Sequence, residues 1–173
     1  MATDDAAGEP SDGDALWRFS LAFYAMPQVA ESLIALQDRD GLDVNMMLFA
    51  LWLGASGRGR ASGDAIAAAE RAIGTIGSEI IGPLRALRRR LTHDPAPDVQ
   101  RLREGVKALE LAAEELVQTR LARVAGPAGE NISRAARLAA ALANFAVCVG
   151  PERARAAEAA IIREALEVFL QDY

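Results

Sequence analysis

Asp43-Val44-Asn45-Met46-Met47-Leu48-Phe49-Ala50-Leu51-Trp52-Leu53 is the stretch on which the fold turns. The Asp43 carboxylate can accept the free backbone N–H groups of Asn45 or Met46 and so start a helix. The run behind it is apolar on every side, and a helix without a polar face belongs in the interior of a domain. This predicts that residues 44–53 form the most buried helix.

Upstream, Ala15 to Met26 reads as a helix that is apolar around most of its circumference and stops at Pro27. Pro27 can open a second helix, running through Leu33 and Leu36 to Asp38, with Gly41 as its stop. Downstream, Gly54 to Gly63 is a Gly, Ser and Arg stretch that reads as a mobile connection before a helix starting at Asp64. A kink or break is expected at Gly82-Pro83, giving one piece that ends near Ile81 and another from Pro83 to Leu91. Asp98 is placed to cap a long helix to Val124. Its seam Val99, Leu102, Val106, Leu109, Ala113 and Leu116 alternates by three and four residues, as helices packed on neighbours do. Two last helices, near Ile132 to Val149 and Glu152 to Leu170, are separated by Gly150-Pro151. The expected fold is all-α, a single-domain bundle of about seven or eight helices joined by Gly/Pro turns, with no strand.

Of 173 residues, 51% are apolar and only 5% aromatic, so the core must come from Ala, Leu, Ile and Val with a few large anchors. Trp17 and Trp52 are expected to be two of these buried anchors. The net charge of −5 is concentrated in Asp4, Asp5, Glu9, Asp12 and Asp14, which leaves the remainder formally neutral. Residues 1–14 therefore read as a disordered acidic tail and 15–173 as the domain. A neutral domain lacks the basic balance of a general nucleic-acid binder. The acidic, polar N-terminus does not read as a signal peptide, and the apolar run Val44 to Ala55 is too short to span a bilayer. With Cys148 as the lone cysteine, a reducing cytoplasm is the expected compartment, with no membrane association.

Few residues are arranged for chemistry. Gly54-Ala-Ser-Gly-Arg-Gly-Arg-Ala61 spaces glycines like a phosphate-binding loop, but Arg60 and Ala61 stand where Lys and Ser/Thr would hold phosphate and magnesium. His93 is the single histidine and lies in a Pro-rich turn, while Cys148 sits on an apolar helix where cysteines are ordinarily inert. The expectation is no catalytic residue, no metal and no cofactor. Two features could bind something. Gln37-Asp38-Arg39-Asp40-Gly41-Leu42-Asp43-Val44-Asn45 crowds three carboxylates and two amides into one turn, yet Met47 stands where a calcium loop needs its closing glutamate. Arg85, Arg88 and Arg89 form the densest positive face. Asp38, close to a helix C-terminus, is repelled by the helix dipole and should be held by an arginine of the 85–90 segment, Arg85 or Arg88 first.

Leu16-Trp17-Arg18-Phe19-Ser20-Leu21 with Tyr24 and Pro27, then Leu36-Gln37-Asp38, Gly41, Asp43-Val44-Asn45 and Leu51-Trp52-Leu53 form a pattern. It resembles an uncharacterised family of short helical bacterial proteins, found mainly in proteobacteria and catalogued as a domain of unknown function. Pro83-Leu84-Arg85 with Leu87-Arg88-Arg89 is similar to a second motif of that family. The resemblance implies no activity, substrate or cofactor, but it does imply that the acidic turn and the arginine segment belong to one design.

Two functional expectations follow. The first is a non-enzymatic helical module that binds a protein partner or a small ligand. The second is a metal-dependent or phosphate-ligand enzyme site built from Gln37, Asp38, Asp40, Asp43 and Asn45 with Arg85, Arg88 and Arg89. The sequence names neither the ligand nor the oligomeric state.

Overall fold

In a computed structural model the described residues are 12–173. Among them are eight α-helices and no strand: α1 (Asp12–Tyr24), α2 (Val29–Asp40), α3 (Val44–Ala55), α4 (Gly63–Ile73), α5 (Gly82–Leu91), α6 (Pro97–Arg123), α7 (Arg134–Val149) and α8 (Ala157–Asp172). A π-helical turn, Gly77–Ile81, leads into α5, and a 3-10 turn, Arg153–Arg155, precedes α8. Most of the acidic tail, residues 1–11, lies outside the described residues, while Asp12, Gly13 and Asp14 already belong to α1.

The central helix forms as its sequence requires. Asp43 Oδ1 accepts from the backbone N–H groups of Asn45 (2.8 Å) and Met46 (3.1 Å), and every residue from Asn45 to Ala55 is buried. Its C-terminal end packs directly on α7. A Cβ on Gly54 would lie 2.0 Å from the Ala141 backbone nitrogen, so the two backbones meet where no side chain fits. Around this axis α1 and α6 pack on each other, α5 lies along α6, and α2 packs on α8. Phe19 and Phe23 of α1 meet Phe169 of α8 edge to face, with centroids 5.4 and 5.5 Å apart.

Several local expectations are corrected by contacts made far along the chain. Pro27 does not open α2. Gln28 takes a left-handed conformation (φ 63°), and α1 and α2 meet at 100°. The Gly54 to Gly63 connection is pinned, because Asn144 of α7 accepts from Ala61 N (2.8 Å) and donates to the Gly59 carbonyl (2.9 Å). The break expected at Gly82-Pro83 is present, with one piece ending at Ile81 and α5 starting at Gly82, but the first piece is a π turn in which Gly82 N bonds Gly77 O, five residues back. Asp98 is not the cap of α6, which starts at Pro97 after Ala96. α8 begins five residues later than Glu152, after the 3-10 turn.

The largest correction concerns α6. Only half of the seam Val99, Leu102, Val106, Leu109, Ala113 and Leu116 turns inward, Val106 buried and Val99 and Ala113 partly so. The buried residues of the helix are Val106, Glu110, Val117, Gln118, Leu121 and Ala122, and Leu102, Leu109 and Leu116 stay 57%, 61% and 46% exposed. Polar residues take the inward positions because partners on other helices satisfy them.

Trp52 is fully buried, with the Arg58 guanidinium 4.2 Å above its ring. Trp17, in contrast, is only half-buried. Among the described residues no single helix is long and apolar enough to cross a membrane.

Two substitutions test the central helix. Trp52→Ala should lower stability by about 3–5 kcal/mol, and Gly54→Ala should cost at least roughly 1–3 kcal/mol by forcing α3 off α7. Chemical denaturation of each variant measures both, and parent-like unfolding of Gly54→Ala would contradict the backbone contact.

Candidate functional site

The arginine segment and the acidic turn do come together, but through partners that the sequence reading left out. α5 carries Arg85 and Arg88 one turn apart toward α6, where Glu110 and Glu114 are also one turn apart. Arg85 donates Nε to Glu110 Oε1 (3.0 Å), Nη2 to Glu114 Oε1 (2.8 Å) and Nη1 to Gln37 Oε1 (2.7 Å). Arg88 grips the same Glu110 with Nε (2.5 Å) and Nη2 (3.2 Å). One carboxylate thus lies between two guanidinium groups, with its side chain only 7% exposed. Burial alone would raise the Glu110 pKa. The bonds from Arg88 and Arg85 outweigh it and hold the carboxyl below the ordinary glutamate value. Glu114 goes the other way: burial raises it, more than Arg85 lowers it.

The three aspartates of the acidic turn are dispersed. Asp38 meets Arg89 at 3.4 Å on the surface, with both side chains half exposed, and neither Arg85 nor Arg88 bonds it. The expected arginine contact therefore exists with a different arginine. Arg85 and Arg88 turn to α6 because its glutamates offer a buried, multidentate acceptor set. Asp40 pairs with Arg39 (2.9 Å) and Arg153 (3.1 Å), which hold it below its ordinary pKa, Arg39 foremost. Asp43 is committed to capping. Among the described residues no group of three or more His, Cys, Asp or Glu side chains converges as a metal site.

Gln37 and Asn45, the two amides of the turn, face inward. Gln37 holds Arg85, and Asn45 Oδ1 accepts from Gln118 Nε2 at 3.0 Å with both residues buried. They form part of the floor of a cavity of about 420 Å³ framed by α1, α2, α3, α5 and α6. Trp17, Leu21, Ile34, Leu48 and Leu111 supply apolar walls, and Arg85, Glu110, Glu114, Tyr24, Ser20 and Gln118 are its polar lining. Burial, then the charge of Glu114, raises the Tyr24 pKa above 10.0. Two polar atoms here lack partners: Ser20 Oγ and Gln118 Oε1 are buried without a hydrogen bond. A buried group left unpaired costs about 1–3 kcal/mol.

Sequence reasoning missed Trp17 as a lining residue, and it missed Ser20, Glu110, Glu114 and Gln118 altogether. The available signal was the four-residue spacing of Glu110, Glu114 and Gln118, a polar stripe along one face of α6. A second depression of about 650 Å³ lies across Gln37, Asn45 and Arg85, toward α4 and Cys148. Burial pushes the Cys148 thiol up to about 12, so it stays protonated and unreactive at neutral pH.

Comparison with known proteins gives one match. A family described as protein of unknown function (DUF2390) matches residues 15–121, from α1 to within α6. No curated protein and no solved structure matches the chain.

The glutamate between two arginines makes two measurable predictions. Glu110→Gln should destabilise by roughly 3 kcal/mol, since it takes from the partly buried Arg88 its charged partner and from Arg85 one of two, whereas the exposed Asp38–Arg89 pair should show a coupling of under about 1 kcal/mol in a double-mutant cycle. The second concerns acid. With the folded-state pKa of Glu110 below the unfolded value, the unfolded chain takes up the proton first as pH falls. The stabilisation is complete above the ordinary value of 4.5 and is lost as pH falls through the folded-state value. Melting temperature measured from neutral to acid pH should show a shallower acid limb in Glu110→Gln than in the parent.

Proposed function

We propose that this chain, which belongs to the DUF2390 family of proteins of unknown function, is a non-enzymatic binding module that takes a small amphipathic molecule into the cavity between α1 and α6. The observation that carries the reading is the pairing of apolar walls with two buried, unpartnered polar atoms, Ser20 Oγ and Gln118 Oε1. The cavity has the size and lining of a small-molecule site, mostly apolar with a few placed polar groups. The ligand it suits has an apolar body for Trp17, Leu21, Ile34 and Leu111 and a hydroxyl or amine head. That head would donate to Gln118 Oε1, which can only accept.

A second consideration supports this cavity over the others. Every residue lining it falls between Trp17 and Gln118, inside the span matched by the family, whereas the second depression takes Val147 and Cys148 from outside it. Binding without chemistry is the reading because Arg85, Arg88, Glu110 and Glu114 already satisfy one another. We take the compartment to be the reducing cytoplasm, on the strength of the single cysteine.

The test uses Trp17 as a reporter. Straight-chain alcohols, amines and carboxylic acids are titrated while tryptophan emission and melting temperature are followed. Alcohols or amines should shift the emission and stabilise the chain by about 2.7 kcal/mol at a hundredfold excess over Kd. The emission shift should be absent in Trp17→Phe, and Gln118→Leu should bind the same compounds about tenfold more weakly or worse, through the lost hydrogen bond. No response to any of the three series would overturn the reading.

A further inference from the structure

The leucines that α6 does not bury form their own pattern. Leu102, Leu109 and Leu116 recur every seven residues on one side of the helix, and Gly105 and Ala112 lie between them, all exposed. This is a heptad seam with leucine at one core position and a small residue at the other. Gly105 needs a separate explanation. Glycine in mid-helix is disfavoured by its backbone entropy, and here a Cβ would find nothing within 4 Å. Nothing among the described residues calls for a glycine at this position; a second helix approaching closely would.

The charges beside the seam choose the occupant. Arg101 and Glu115 flank it on the side away from the core, are exposed, and take no ion pair among the described residues. They are placed symmetrically about Ala108. When two copies of α6 pair antiparallel about Lys107, Leu102 lies against Ala112 and Leu109 against Gly105 of the second copy. Arg101 of each copy then flanks these layers two residues out of step with Glu115 of the other, about 3 Å along the axis and within reach of the two long side chains. Each layer then holds one large and one small side chain, so the helices approach evenly. Parallel pairing would instead stack leucine on leucine and glycine on glycine, in alternately wide and narrow layers.

We infer that the exposed face of α6 is the interface of an antiparallel homodimer, held by the Leu102, Gly105, Leu109 and Ala112 seam and by two symmetric Arg101–Glu115 pairs. The occupant is a second copy because one helix supplies both halves of the packing and of the charge pattern. This interface faces away from the cavity and does not depend on ligand binding.

Sedimentation equilibrium of the full chain should give twice the 18.4 kDa chain mass. Arg101→Glu and Glu115→Arg should each weaken the dimer by about tenfold or more, and the double swap should restore it. Gly105→Gln, with open space around the new side chain, should keep the helical circular dichroism and the melting behaviour of the folded monomer while weakening association at least as much. A monomer at all concentrations up to about 1 mM, an affinity outside the range of specific contacts, would overturn the proposal. So would a dimer indifferent to Gly105→Gln. If Glu115→Arg alone matters and the double swap fails to rescue, the pairing is parallel, through Glu115 and Arg120, and the antiparallel seam is wrong.

Discussion

The close approach of α3 to α7 at Gly54 is the constraint from which the rest of the architecture follows. Two helix backbones in direct contact leave no room for adjustment, since a single added methyl would overlap Ala141. With α7 fixed there, Asn144 is brought to the chain leaving α3 and hydrogen-bonds it at Gly59 and Ala61. A glycine-rich segment that would otherwise be free becomes an ordered bridge to α4. At the other end of α3, the Asp43 cap begins the helix beside Asn45, whose amide reaches Gln118 and ties the core to α6. The buried helix acts as the axis, and polar bonds at its two ends set the neighbours around it.

The charged network between α5 and α6 is the second organising feature, and it is built around the cavity rather than across it. Glu110 accepts from both Arg85 and Arg88, while Arg85 also reaches Gln37 and Glu114. Three helices, α2, α5 and α6, are thus joined through one guanidinium and its neighbours. A buried ion pair of this kind adds little to stability relative to apolar packing but strongly disfavours arrangements in which one partner is stranded. Such a network suits a site that must keep its shape while empty. The polar atoms beside it that stay unpartnered, Ser20 Oγ and Gln118 Oε1, are those the proposed ligand would engage.

α6 therefore has two functional sides. Glu110, Glu114 and Gln118 run along its inward face, and Leu102, Leu109 and Leu116 along a face turned by roughly 100°, one residue of an α-helix. An apolar stripe facing water beside a polar stripe facing the core reverses the usual amphipathic arrangement. Both halves of the reversal are accounted for: arginines and an asparagine from other helices satisfy the buried polar groups, and a second copy of α6 would cover the leucines.

Much of the fold was legible from local signals. The Asp43 cap, the stop at Gly41, the burial of residues 45–55 and the all-α bundle all rest on periodicity and on capping, which act within a few residues. Gln37 and Asn45 line the cavity, although the reason for choosing them, a cluster with three aspartates, dissolved once each aspartate had its own partner. What could not be read was every feature that depends on a residue distant in sequence. The partner of Arg85 is 25 residues away at Glu110 and that of Asn45 is 73 away at Gln118. Trp17 counted as core because its neighbours are apolar, yet the corner between α1 and α2 leaves it at the mouth of a cavity. Hydrophobic periodicity placed only Val99, Val106 and Ala113 of the α6 seam on its inward side, because it assumes that polar side chains go to water, and Glu110 and Gln118 do not. Local chemistry decided where the helices begin, end and bury themselves. Only the tertiary structure decided which polar groups could be desolvated, because that cost is offset by partners that no local pattern names.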